Sequence, residues 1–205
     1  MTPSYKIVHN VLTDNELAFI KRFAQDNLTR LTSDGGNVND VYNNLTIQMA
    51  DVDSARAKDI MRKVNDAGLS ALRELFGEDA LSGVESDGIM INKWPIGMGL
   101  GDHADNAFAH DGSPNYTWWR NFSGVFYIND DYEGGEFYFC DTDIVIKPVA
   151  NSLTVFGAGL DSVHGVHPVT DGDRWTMPNW FTNNPEYYAS RCGSMGLPIG
   201  EKYPT

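Results

Sequence analysis

The chain has 205 residues, 41% of them hydrophobic and 12% aromatic, which is enough apolar surface to enclose one core and too short a chain for two fused enzymes. Fifteen Lys and Arg against 28 Asp and Glu leave a formal charge of −13, a field that repels polyanions and acidic lipid, so neither nucleic acid nor membrane is an expected partner. Cys140 and Cys192 can form at most one bridge, which excludes a disulfide framework and a four-cysteine zinc site; with no signal-like or membrane-length apolar block at the start, a cytoplasmic setting is expected.

In chain order, Thr13-Asp14-Asn15-Glu16 reads as a capping box, with Leu12 and Leu17 placed as its hydrophobic staple. Leu17, Ile20, Phe23 and Ala24 then give a helix one apolar stripe, and its end is expected near Asn27. The Gly- and Asn-rich stretch 33–44 reads as a mobile loop, followed by a short strand at 45–49. Between Asp53 and Phe76 the residues Ile60, Val64, Ala67, Ala71, Leu72 and Leu75 form the apolar face of a second helix, stopped by Gly77.

From residue 84 the texture changes to short β-prone runs separated by Gly, Asp, Asn and Pro: 88–94, 123–129, 136–140, 144–147, 152–157, 163–169 and 174–181. This predicts an α+β protein in which a sandwich or jelly roll carries the two helices on one outer face. The whole of 1–205 is expected to be one domain, with 1–83 as helical support, 84–181 as the β core and 182–205 as a C-terminal extension. Within it, the loop 106–121 with Phe108, Tyr116, Trp118 and Trp119 has two readings: a lid beside a site, or aromatics packing as the next strand begins.

Four of five histidines fall in the β half. In His103-Ala104-Asp105 an extended backbone projects the imidazole and the carboxylate to one face, as two ligands of one metal require, although His-x-Asp alone is a common surface coincidence. His164 and, ten residues on, Arg174 change that reading. Thr170-Asp171-Gly172-Asp173 is a tight-turn sequence and predicts a hairpin that sets His164 and Arg174 side by side. Two imidazoles and one carboxylate leave three positions open on a ferrous ion, and an arginine fork grips a carboxylate through two hydrogen bonds. His167 and His110 are rival ligands; strand alternation puts His167 on the face opposite His164.

At this point the sequence resembles the Fe(II)- and 2-oxoglutarate-dependent dioxygenases, in particular the prolyl 4-hydroxylase-like branch. The likeness runs from Ile7-Val8-His9-Asn10-Val11-Leu12 through Trp94-Pro95-Ile96-Gly97, Phe126-Tyr127-Ile128-Asn129-Asp130 and Gly134-Gly135-Glu136 to His164, Arg174 and Trp180. The resemblance implies a double-stranded β-helix, or jelly roll, with the helices on one face of its major sheet. It implies His103, Asp105 and His164 as the catalytic iron ligands, Arg174 and Tyr127 on the distal carboxylate of 2-oxoglutarate, and Trp180 as a wall of the cosubstrate pocket. Fe(II), 2-oxoglutarate and O2 are the implied cofactors, with ascorbate as a stimulant.

The chain departs from its relatives at Trp94 and Leu100, where many carry tyrosines, and at Asp102, whose charge is expected to face solvent or a neighbouring Lys or Arg. Hydroxylation of an unactivated C–H bond is the implied activity, with a prolyl residue in a peptide or protein as the leading substrate, a free amino acid or other small molecule behind it, and succinate and CO2 as coproducts. The competing readings are a non-catalytic jelly-roll module that binds sugar or metal, and a cupin-like metal-dependent hydrolase or isomerase that would not need Arg174.

Overall fold

A computed structural model of the chain describes residues 2–31, 46–49 and 52–188. The expected loop 33–44 and most of the extension 182–205 lie outside the described residues.

Strand β1 (Tyr5–His9) leads into helix α1 (Asp14–Leu31), and β2 (Thr46–Gln48) precedes helix α2 (Ala55–Phe76). The capping box forms as read: the Thr13 amide donates to Glu16 Oε2 at 2.8 Å and the Glu16 amide to Thr13 Oγ1 at 3.3 Å. Lys63 of α2 donates to the same Glu16 carboxylate and ties the helices together. Helix α1 runs past Asn27 because that side chain folds back to donate to the Phe23 carbonyl at 2.9 Å, while Leu28 packs on the core. For α2, Ser54 is the N-cap, and Gly77, at φ +88°, returns its amide to the Arg73 carbonyl.

The β half consists of β3 (Glu85–Trp94), β4 (Leu100–His103), β5 (Phe122–Tyr127), β6 (Glu133–Gly134), β7 (Phe137–Phe139), β8 (Val145–Ile146), β9 (Ser152–Gly157), β10 (His164–Val166), β11 (Val169–Asp171) and β12 (Arg174–Thr182). Among the described residues these pair as a six-stranded antiparallel sheet, β1-β9-β5-β12-β3-β2, and a four-stranded sheet, β4-β10-β7-β8, with β11 and β6 as a separate pair. This is the double-stranded β-helix expected of the chain.

Strand alternation sorts the major sheet. Ile89, Ile91, Phe126, Leu153, Val155, Trp175, Met177 and Phe181 face outward and bury against Ile60, Met61, Val64, Ala71 and Leu72 of α2. Each such side chain contributes roughly 1.5–3 kcal/mol when fully buried. Their alternates Asn92, Trp94, Ser123, Val125, Arg174, Thr176, Pro178 and Trp180 face inward and line a cavity between the sheets. Phe137, Phe139, Ile146 and Phe156 fill the rest of that gap.

Pro178 sits in a central strand, where a missing N–H ordinarily breaks a ladder. Here β12 pairs without interruption to β5, and its pairing with β3 keeps one register from Arg174↔Trp94 through Trp180↔Gly88, with Met177 and Pro178 outside the paired positions on that side and the register shifting only between Trp180 and Phe181.

The expected hairpin between His164 and Arg174 does not form. His164 lies in the minor sheet beside β4 and β7, β11 pairs with β6, and the chain then crosses to the major sheet, where Arg174 begins β12. The two residues face each other across the cavity instead of lying side by side. The expected strand 163–169 is accordingly two strands, broken at His167 and Pro168.

Candidate active site

The metal motif is held by pairing between two short strands. His164 of β10 is the register partner of His103 at the end of β4, which brings the two rings to a centroid distance of 4.2 Å. Asp105 lies two residues past His103, with its carboxylate 4.0 Å from His103 Nε2 and 3.9 Å from His164 Nε2. One ligand atom from each of the three lies within 4.8 Å of the others.

The backbone selects the free nitrogen of each ring. His103 Nδ1 lies 2.9 Å from the Gly101 carbonyl and His164 Nδ1 2.8 Å from the Ser162 carbonyl. A carbonyl can only accept, so Nδ1 carries the proton in both rings and Nε2 presents its lone pair to the Asp105 side. The Ser123 hydroxyl donates to Asp105 Oδ2 at 2.6 Å and orients the third ligand.

Burial favours a neutral Asp105, but the charges of His164, His103 and Arg120 and the Ser123 bond outweigh it and hold its pKa below the ordinary value. Burial of His164 among Phe137 and Phe156 pushes its pKa down to about 4, against the pull of Asp105. The triad near neutral pH is therefore an anionic carboxylate and a neutral buried imidazole, the protonation states that a divalent metal requires.

The metal-free protein should lose stability in mild acid. Between the ordinary pKa of 6.5 and the folded value of about 4, the unfolded chain binds the His164 proton and the folded chain does not. Stability should therefore be intact above pH 6.5 and fall as the pH drops toward 4. Denaturant midpoints measured across that window check this, and His164→Ala should flatten the decline.

Gly165, between His164 and Val166, supports the same strands. A Cβ there would collide with the Tyr138 hydroxyl and sit 2.9 Å from the Leu100 carbonyl. Gly165→Ala is expected to cost about 2–4 kcal/mol and to separate β10 from β4, read as a lower denaturant midpoint together with weaker metal binding.

Arg174 is buried at 1% exposure, and its Nε and Nη1 have no hydrogen-bond partner among the described residues. The guanidinium lies over the rings of Trp94, at 5.0 Å, and Tyr127, at 5.4 Å. The buried hydroxyls of Tyr127, Tyr132 and Thr154 are unpartnered as well. Tyr132 and Tyr127 lie against the guanidinium, and Thr154 against Tyr127. Burial raises both tyrosine pKa values by more than the Arg174 charge lowers them, so both remain protonated donors.

A buried cation beside three unpaired hydroxyls is costly unless an anion completes it. The cavity that holds Arg174 and the triad measures about 410 Å³. Its walls include Val125, Phe137, Phe156, Val166 and Trp180.

Three residues that sequence reasoning passed over also belong here. Arg120 stands in the cavity wall, donates to the fully buried Asp87 at 2.7 Å and stacks at 3.9 Å on Trp180, which lines the same cavity. Ser123 holds Asp105, and Tyr132 completes the Arg174 cluster.

The rival histidines stand apart. His167 is exposed and stacks on Tyr138, and His110 is exposed beside Asp111. Asp102 is exposed, the first of its two expected surroundings, and accepts from the Tyr138 hydroxyl at 2.7 Å rather than pairing with a Lys or Arg; β7 lies across β10 from β4, and Gly165 leaves room for that ring. The loop 106–121 divides between its two readings. Trp119 is buried on Tyr187, at 4.0 Å, rather than on the helices, while Phe108, His110 and Tyr116 line a second, open cavity that reaches His103 and Asp105.

Two facing antiparallel sheets thus carry a His-Asp-His triad opposite an unpaired arginine. Residues 89–182, the stretch that carries all four residues, match the 2OG-Fe(II) oxygenase superfamily model. Among solved structures, a viral collagen prolyl hydroxylase from Paramecium Bursaria Chlorella virus-1 is similar with a TM-score of 0.65 at 16% identity, covering 87% of this chain and 95% of that one. A prolyl-4-hydroxylase from Pseudomonas putida follows at 0.63 and 17%, covering 89% and 94%. These likenesses establish the prolyl 4-hydroxylase-like fold.

In sequence, prolyl 3-hydroxylase 2 of Homo sapiens is 38% identical over 97 residues, which make up 42% of this chain and 14% of the relative. The chain thus spans a small part of the curated relatives it matches. Fe(II), 2-oxoglutarate and O2 are the superfamily's reactants, and the residues present fit them: three potential ligand atoms lie within 4.8 Å of one another, and the unpartnered Arg174 donors suit the far carboxylate of a dicarboxylic acid.

Proposed function

We propose that this protein hydroxylates a prolyl residue of a peptide or protein, consuming 2-oxoglutarate and O2 and releasing succinate and CO2. The observation that carries the reading is the unpaired Arg174 facing the triad within one cavity. A sugar- or metal-binding module, or a cupin-like hydrolase, has no use for a buried cation placed there. The names of the relatives, prolyl hydroxylases in both comparisons, supply the substrate class.

The chain's own residues divide the work. His103 and His164 offer Nε2 and Asp105 a carboxylate, all pre-oriented by Gly101, Ser162 and Ser123, so little ordering remains to be done when metal binds. Arg174, with Tyr127, Tyr132 and Thr154, holds the distal carboxylate, and Phe137, Phe156, Val125 and Val166 exclude water from the reacting end. Bound iron and cosubstrate supply the oxidising power, coupling oxidative decarboxylation of 2-oxoglutarate to insertion of one oxygen atom into a C–H bond. Arg120 and Trp180 flank the side of the cavity next to Asp105, where a substrate amide can be positioned.

A cytoplasmic setting without nucleic-acid or membrane partners belongs to the same proposal, supported by the net charge of −13. Among the described residues no helix is long and apolar enough to cross a membrane. The test is mass spectrometry of proline-containing peptides and of free amino acids with Fe(II) and 2-oxoglutarate. A gain of one oxygen on a peptide proline, assigned by NMR to carbon 3 or carbon 4, is expected; turnover of free amino acids alone would replace the peptide assignment.

A further inference from the structure

The open cavity outside the triad carries information on what it receives. It measures about 650 Å³ and runs from Leu100, Asp102 and His103 past Phe108 and His110 to Tyr116 and Thr117. Its floor is fixed to the metal motif: Thr117 donates to the Asp105 carbonyl at 2.6 Å, and Asn115 to the carbonyls of Ala104 and Ala107. Phe108 packs edge-on against Tyr116, which is 57% exposed, and Leu160, 49% exposed, stands beside Gly112 of the same loop. The groove therefore joins the site and offers aromatic faces to an extended chain.

Its charge has one sign. Residues 84–182 contain fourteen Asp and Glu but four Lys and Arg. Of those four, Arg120 and Arg174 are buried and Lys93 is paired with Asp173, which leaves Lys147, exposed after β8. From Pro95 to Trp119, the stretch that builds the groove, there is no Lys or Arg at all. Asp102 is in the groove's lining, Asp111 adjoins the lining residue His110, and Asp161 follows Leu160, which stands beside Gly112 of the same loop.

We propose that the protein selects a cationic polypeptide substrate, with Lys or Arg residues flanking the target residue, and that Asp102, Asp111 and Asp161 determine this preference. The inference rests on the peptide-hydroxylase reading above. An anionic segment would meet like charge beside the site, whereas a Lys- or Arg-bearing one gains attraction that salt screens.

The experiment measures binding and turnover separately. Fluorescently labelled peptides of one length, with Lys, Ser or Glu flanking a central proline, are titrated by anisotropy into the Fe(II)- and 2-oxoglutarate-loaded protein held without oxygen. The Lys peptide is expected to bind about tenfold or more tighter than the Glu peptide at low salt, the gap shrinking at high salt. In the triple variant D102N/D111N/D161N the two should bind within about twofold of each other. Equal binding in the parent, preference for the Glu peptide, or a Lys preference that survives the triple substitution overturns the proposal. Admission of oxygen then reads the hydroxylase assignment independently. Charge-ranked binding without oxygen gain leaves this inference standing and removes the hydroxylase, and oxygen gain with unranked binding does the reverse.

Discussion

Arg174→Ala is expected to weaken 2-oxoglutarate binding by about a hundredfold or more, since truncating one member of a buried, hydrogen-bonded charge pair costs roughly 2–5 kcal/mol. The loss should appear as a raised KM for 2-oxoglutarate and as the disappearance of the thermal stabilisation that the cosubstrate gives the metal-loaded protein. The same substitution should leave the ligand-free protein no less stable. In that state Arg174 is a buried cation whose Nε and Nη1 are unpaired, so its removal relieves a desolvation cost that an ordinary core truncation does not. Arg174→Lys should recover part of the affinity at most, because an ammonium cannot present two parallel donors to one carboxylate. A marked drop in ligand-free stability with cosubstrate affinity preserved would remove Arg174 from the site.

Asp105→Ala should lower hydroxylation by about a thousandfold or more, since it removes the only anionic ligand in the triad. The visible charge-transfer band expected when Fe(II) and 2-oxoglutarate are added without oxygen should disappear with it. Ser123→Ala is the graded companion: the carboxylate remains but loses the 2.6 Å donor to Oδ2, and metal affinity should fall about 10–100-fold. Metal titrations of the two variants separate holding a ligand from orienting it. Full activity in Asp105→Ala would mean the iron, if bound, sits elsewhere.

The triad was legible because its chemistry needs rare residue types at constrained spacing: His103 and Asp105 two apart on extended backbone, then His164 and Arg174 ten apart. The helices were legible from periodicity and from caps at Thr13 and Gly77 that formed as read. What escaped has physical causes. The chain between Asp171 and Arg174 has the composition of a hairpin turn, but whether strands on either side pair depends on which sheet has room for the second, a property of the packed sandwich. Ser123, Tyr132 and Thr154 are ordinary strand and loop residues until inward alternation sets them beside a charged group. Asp87 and Arg120 are 33 positions apart, and nothing local marks either as half of a buried ion pair. The exposure of Asp102 was legible, but its tyrosine partner was not, because Tyr138 reaches it across Gly165 of the intervening strand.

The two halves of the proposed chemistry stand on different sheets, the ligands His103 and His164 on the minor one and the carboxylate receptor Arg174 on the major one. Phe137, Phe139 and Phe156 act as the spacer between them. Catalytic alignment is then a property of the interlayer thickness: thinning that aromatic stack by a few carbon atoms would leave each half intact on its own strands while changing the gap a five-carbon diacid has to bridge.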